Sequence, residues 1–166
     1  MALLTGNKII EIAVNLEDSG EAFYTAAAQK ATDAKVKALF QDLAAQERHH
    51  RRAFQQLTQP GEHAVEFGLA PDQRDESRAY TGALLRQTFF ANPENALNRA
   101  AEAQDAQEAL QAAIRFEKES LLFFHELRDV VRGAGKQTVE RIVQEEKQHI
   151  QRLTAMLYGP DADERR

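Results

Sequence analysis

The chain repeats itself once, at an offset of 99 to 100 residues, and the repeated unit has the period of a helix. Ala13-Val14-x-x-Glu17 returns as Ala113-Ile114-x-x-Glu117, and Phe23-Tyr24 returns as Phe123-Phe124. Further on, Phe40, Leu43, Glu47, His50 and Phe54 return as Val139, Ile142, Glu146, His149 and Leu153. Apolar positions in both copies recur every 3.6 residues, the mark of an α-helix with one buried face. Two copies are too few for a solenoid, which needs three or more stacked units. The halves are therefore expected to bury their apolar stripes against each other, related by a pseudo-twofold axis.

Four long segments carry this period. Helix A is expected over 7–31, and helix B over 33–58 behind Asp33 as N-cap. Helix C is expected over 105–132 and helix D over 137–158, with Gly133-Ala134-Gly135 between them and Gly159-Pro160 closing D. Very short turns join A to B and C to D, so each pair forms an antiparallel hairpin. The crossover, 59–104, has its own Gly and Pro punctuation; one helix is expected over 75–90 and a shorter one over 93–103. A helix of some 25 residues is about 37 Å long at 1.5 Å per residue. A connection of this length crosses that distance, so B and C run the same way. The expected fold is an all-α, ferritin-like four-helix bundle, two helical hairpins joined by a long crossover that contains a short helix. A single domain is expected to span 1–166.

Composition agrees. Only 8 glycines and 4 prolines in 166 residues favour helices over strands. A formal charge of −5 with no basic stripe argues against a nucleic-acid partner. The absence of cysteine excludes a disulfide framework, a thiolate zinc site, an iron–sulfur cluster and a cysteine nucleophile. No run approaches the roughly 18 apolar residues of a membrane span, and the first residues lack a secretory pattern. No membrane partner is expected, and the expected address is cytoplasmic.

Chemistry enters through the face on which the ionisable residues lie. Helix B's stripe reads Val36, Leu39, Phe40, Leu43, then Glu47 and His50, then Phe54 and Leu57. Helix D's reads Val139, Ile142, Val143, then Glu146 and His149, then Leu153 and Met156. Glu17 and Glu117 interrupt the stripes of A and C in the same way. An unpaired carboxylate there costs several kcal/mol or stays protonated. Two divalent cations would balance four carboxylates and leave both histidines neutral. Residues i and i+3 differ by about 4.5 Å along a helix and about 60° around it, so each Glu-x-x-His pair can reach one ion or two adjacent ions.

The expected metal ligands are therefore Glu17, Glu47, His50, Glu117, Glu146 and His149, a di-metal carboxylate pattern. Oxygen donors with one imidazole per ion suit Fe or Mn; Zn would bind as a substitute without redox chemistry. Tyr24, two turns after Glu17, is expected to bond a ligand carboxylate from the other hairpin and fix its orientation. Mid-helix Gly20 is expected to serve close helix approach or to leave room for a metal-bound oxygen species. His49 should lie at the surface, and Glu119 and Glu145 should be solvated, with Glu119 close enough to be an outside candidate for a ligand.

On these residues the chain resembles the erythrin, or rubrerythrin-like, branch of the ferritin-like superfamily. Asn15-Leu-Glu-Asp-Ser-Gly-Glu-Ala-Phe-Tyr24, Phe40-x-x-Leu-Ala-x-x-Glu47-x-x-His50, Glu117-x-x-x-x-x-Phe-Phe124 and Glu145-Glu146-x-x-His149 carry the resemblance. It implies two iron ions, with Glu47 and Glu146 bridging and His50 and His149 capping one ion each. It also implies a non-haem di-iron protein of peroxidase or ferroxidase type in oxidative-stress defence, using hydrogen peroxide or dioxygen, and a homodimer. The alternative is an iron-binding or iron-handling protein without significant turnover. Three departures stand out. The cysteines of a rubredoxin domain are missing, so a peroxidase would need a separate electron donor. Ser120 stands where the family tends to place a further glutamate. Phe124 stands opposite Tyr24, leaving one phenol.

Overall fold

The computed structural model describes residues 6–58, 66–67 and 93–159. The helices are α1 (Gly6–Lys30), α2 (Ala34–Leu57), α3 (Pro93–Glu102), α4 (Ala106–Val130) and α5 (Ala134–Tyr158). The helix expected over 75–90 lies outside the described residues. The fold is an all-α ferritin-like bundle: α1 and α2 form one hairpin, α4 and α5 the other, and α3 belongs to the crossover. None of the described helices is long and apolar enough to cross a membrane.

Local chemistry sets the helix ends. Asp33, in extended conformation, accepts from the amides of Lys35 at 2.8 Å and Val36 at 2.9 Å, satisfying donors that α2 leaves open. Asp105 does the same for Glu108 at 2.8 Å. Two boundaries differ from the sequence expectation by more than one residue. The last helix starts at Ala134 instead of 137, because Gly133 takes the turn at φ 65° and frees the next residue to be helical. The preceding helix stops at Val130 instead of 132. Val131 and Arg132 (β2) are extended and pair antiparallel with Phe67 and Glu66 (β1), respectively.

That two-residue ladder anchors the crossover at the end where α4 meets α5. At the opposite end, the Lys30 ammonium donates to the carbonyls of Ala100, Ala101 and Ala103 at 3.2, 2.6 and 2.8 Å. A cation at the C-terminal carbonyls of α3 satisfies its open acceptors and opposes its dipole. The described parts of the crossover thus lie at opposite ends of the bundle, and α2 and α4 are parallel.

The core falls into two apolar clusters. One holds Phe23, Tyr24, Phe40, Leu43, Phe116 and Leu153; the other holds Ile10, Phe54, Phe124, Leu127, Ile142 and Val143. Along every main helix the ionisable residues lie between the stretches that feed these clusters. A polar layer therefore crosses the bundle at mid-height.

Candidate metal centre

Glu17 comes from α1, Glu47 and His50 from α2, Glu117 from α4, and Glu146 and His149 from α5. All six are brought together, and each is at most 1 % exposed. They form two overlapping quartets, Glu17–Glu47–His50–Glu146 and Glu47–Glu117–Glu146–His149. Within each quartet, one donor atom per residue lies within 4.8 Å of the others, close enough to hold one ion. Glu47 and Glu146 are common to both. The imidazoles are nearly parallel, with ring centroids 5.5 Å apart.

The donor atoms fit divalent cations. Both oxygens of Glu17 and of Glu146, Glu47 Oε1, Glu117 Oε2 and both histidine Nδ1 atoms are buried without a hydrogen-bond partner. Buried polar atoms are nearly always satisfied, so such a cluster marks a place where something other than protein supplies the missing interaction. The groups are close: His50 Nδ1 is 2.9 Å from Glu146 Oε1, and His149 Nδ1 is 3.3 Å from carboxylate oxygens of Glu47, Glu117 and Glu146.

Electrostatics says the same. Burial, reinforced by neighbouring carboxylates, pushes Glu47 and Glu117 well above the ordinary carboxylate range. Glu17 is raised to about 7, again chiefly by burial. Burial works against charging His50, but Glu17 and Glu146 outweigh it and push the imidazole up to about 12. His149 is raised for the same reason, with Glu117 foremost. Glu146 alone is lowered: burial opposes its charge, but Glu117 and both histidines reverse the balance. Without cations, this cluster recruits protons to cancel its charge.

The outer face of each imidazole is fixed from the opposite hairpin. His50 Nε2 donates to Glu145 Oε2 at 2.7 Å, and His149 Nε2 pairs with Gln46 Oε1 at 3.0 Å. Gln46 commits its amide N–H to Asp42 at 2.6 Å, and Arg152 holds the same Asp42 oxygen at 2.6 Å. The amide oxygen must then accept, so both histidines carry a proton on Nε2 and aim Nδ1 at the carboxylates. The expectation that Glu145 is merely solvated is thus corrected: it is half-buried and bonded to His50. The sequence signal was present, since Gln46 and Glu145 each precede the glutamate of a Glu-x-x-His pair.

Tyr24 donates its hydroxyl to Glu117 Oε1 in a hydrogen bond across the hairpins. Burial, reinforced by the neighbouring carboxyl groups of Glu117 and Glu47, pushes the phenol well above its ordinary range. Phe124, its counterpart, packs on Phe54 with centroids 5.1 Å apart. Ser120 is buried with its hydroxyl unpartnered, while His49 is exposed.

Gly20 is where α1 yields to the site. A Cβ there would collide with the Glu47 carboxylate and lie 2.9 Å from Phe116 Cε1. The space is thus taken by a carboxylate from α2, which answers to close helix approach. Gly20→Ala should gain about 1 kcal/mol of helix propensity yet push Glu47 out of place. The expected outcome is retained helicity by circular dichroism with at least about tenfold weaker cation binding by calorimetry.

Two helical hairpins enclosing a buried carboxylate–imidazole layer define a ferritin-like bundle with a centre able to hold metal. The chain belongs to the rubrerythrin family: that family's sequence model, described as Rubrerythrin, matches residues 8–157. Comparisons with curated proteins and with solved structures give no match.

Proposed function

We propose that this chain is a non-haem di-iron protein that reacts with hydrogen peroxide or dioxygen, as a peroxidase or ferroxidase in oxidative-stress defence. The observation that carries this reading is the set of buried, unpartnered donor atoms aimed at one another from four helices. Membership of a family that typically binds iron supports iron over manganese or zinc. Glu17, Glu47, His50 and Glu146 would hold one ion, and Glu47, Glu117, Glu146 and His149 the other, Glu47 and Glu146 belonging to both sets.

When bound, two iron ions supply Lewis acidity and between them two electrons. The protein's own part is positional. Tyr24 holds Glu117 in one orientation, Glu145 and Gln46 hold the imidazoles, and the two apolar clusters keep bulk water from the layer. The chain has no cysteine, so the electron donor of a peroxidase cycle lies outside this sequence.

Stopped-flow mixing of the anaerobic, Fe(II)-loaded protein with hydrogen peroxide tests the proposal. Oxidation faster than that of free Fe(II) at equal concentration is expected. Two tightly held irons oxidised no faster than free iron would leave an iron-binding protein without turnover.

A further inference from the structure

The two cation positions are built from a repeat, yet the residues behind them are not repeated. Behind His50 stands a carboxylate, Glu145, at 2.7 Å; behind His149 stands a neutral amide, Gln46, at 3.0 Å. The carboxylate that Gln46 bonds, Asp42, reaches His149 only through that amide and is already paired with Arg152. Among the described residues no lysine or arginine pairs with Glu145, so its charge acts on the imidazole undiluted. A hydrogen bond from imidazole N–H to an anion raises the basicity of the other ring nitrogen more than one to an amide does.

A second asymmetry acts in the same sense. Tyr24 donates to Glu117 and draws electron density from that carboxylate. Glu17, its counterpart, has no hydrogen-bond donor on either oxygen, and the residue matching Tyr24 is Phe124. The Glu17–His50 side thus holds the more electron-rich terminal donors, and the Glu117–His149 side the poorer ones.

We propose that Glu145 is a positioning residue that makes the two cation positions inequivalent, so that the Glu17–His50 position fills first. This rests on the two-cation centre proposed above. The inequivalence is set from outside the donor set and across the hairpins. It gives the centre an order of loading: one ion resident, the other exchangeable.

Anaerobic titration of the metal-stripped protein with Co(II), followed by calorimetry and by the visible ligand-field bands, tests this with single-position backgrounds. Glu117→Gln retains the His50 position and Glu17→Gln retains the His149 position; the first is expected to bind Co(II) more tightly. Adding Glu145→Gln should weaken the position kept in Glu117→Gln by about tenfold and leave that kept in Glu17→Gln nearly unchanged. Adding Gln46→Glu to Glu17→Gln should strengthen its remaining position, a gain that a merely structural role for these residues does not give. Equal affinities in the two backgrounds, or equal weakening by Glu145→Gln in both, would overturn the inference with the two-cation centre intact. No Co(II) bound by the unsubstituted protein would instead overturn the centre itself.

Discussion

Glu47→Gln and Glu146→Gln are each expected to abolish cation binding at both positions, whereas Glu17→Gln or Glu117→Gln leaves one ion per chain. The reason is that Glu47 and Glu146 belong to both quartets and the other two to one each. Metal analysis after loading and desalting reads this as a stoichiometry near zero against one. The two shared carboxylates should part company in the cation-free protein. Burial and the neighbouring carboxylates push Glu47 well above the ordinary range, toward the neutral form that glutamine mimics, so stability should change by less than about 1 kcal/mol. Glu146 stays ionised between the two imidazoles. Glu146→Gln breaks a buried ion cluster and should destabilise by about 3–5 kcal/mol. Urea unfolding in the presence of chelator separates the two; equal losses would refute this division of charge.

The cation-free protein should lose stability as the pH rises, and divalent cations should restore it. Glu17, raised from 4.5 to about 7, contributes stability present in full below 4.5 and gone once the pH has passed about 7. Glu47 and Glu117 act in the same direction and over a wider range. His50, raised from 6.5 to about 12, begins to lose its contribution above 6.5. Glu146, being lowered, opposes this trend only near and below 4.5. Above pH 5 the folded cluster therefore holds more protons than the unfolded chain, and the melting temperature falls with pH.

Cations take the place of those protons, so loading releases protons and the stabilisation grows with pH. At a hundredfold excess over Kd each ion adds about 2.7 kcal/mol. Two ions should then raise the melting temperature of a chain this size by about 10–20 °C. Thermal melts at pH 5 to 8, with chelator and with Mn(II), check both slopes. A melting temperature independent of pH and of cation would refute the cluster's part in folding.

The bundle was legible because its signals are local. Asp33 and Asp105 announce helix starts, and the recurrence of Phe40, Leu43 and Phe54 as Val139, Ile142 and Leu153 announces matching buried faces. Interrupting those faces, Glu47 and His50 could be placed inward before any tertiary contact was known. The Gly133 turn was less legible: Gly-Ala-Gly reads as a breaker, and only the backbone angle shows that a single glycine does the turning.

Glu145 shows where sequence reasoning stops. It lies on the flank of its helix, a place that solvent usually occupies, and its meaning depends on which atom of α2 arrives opposite. The six inward residues and the hairpin repeat follow from the sequence alone, since 3.6 residues per turn fixes which side chains share a face. The acceptor behind each imidazole, the carboxylate that fills the hollow over Gly20, and the resulting difference between the two halves were decided by tertiary structure. They depend on the offset and rotation of one helix against another, and ångström-scale shifts there exchange one hydrogen-bond partner for the next.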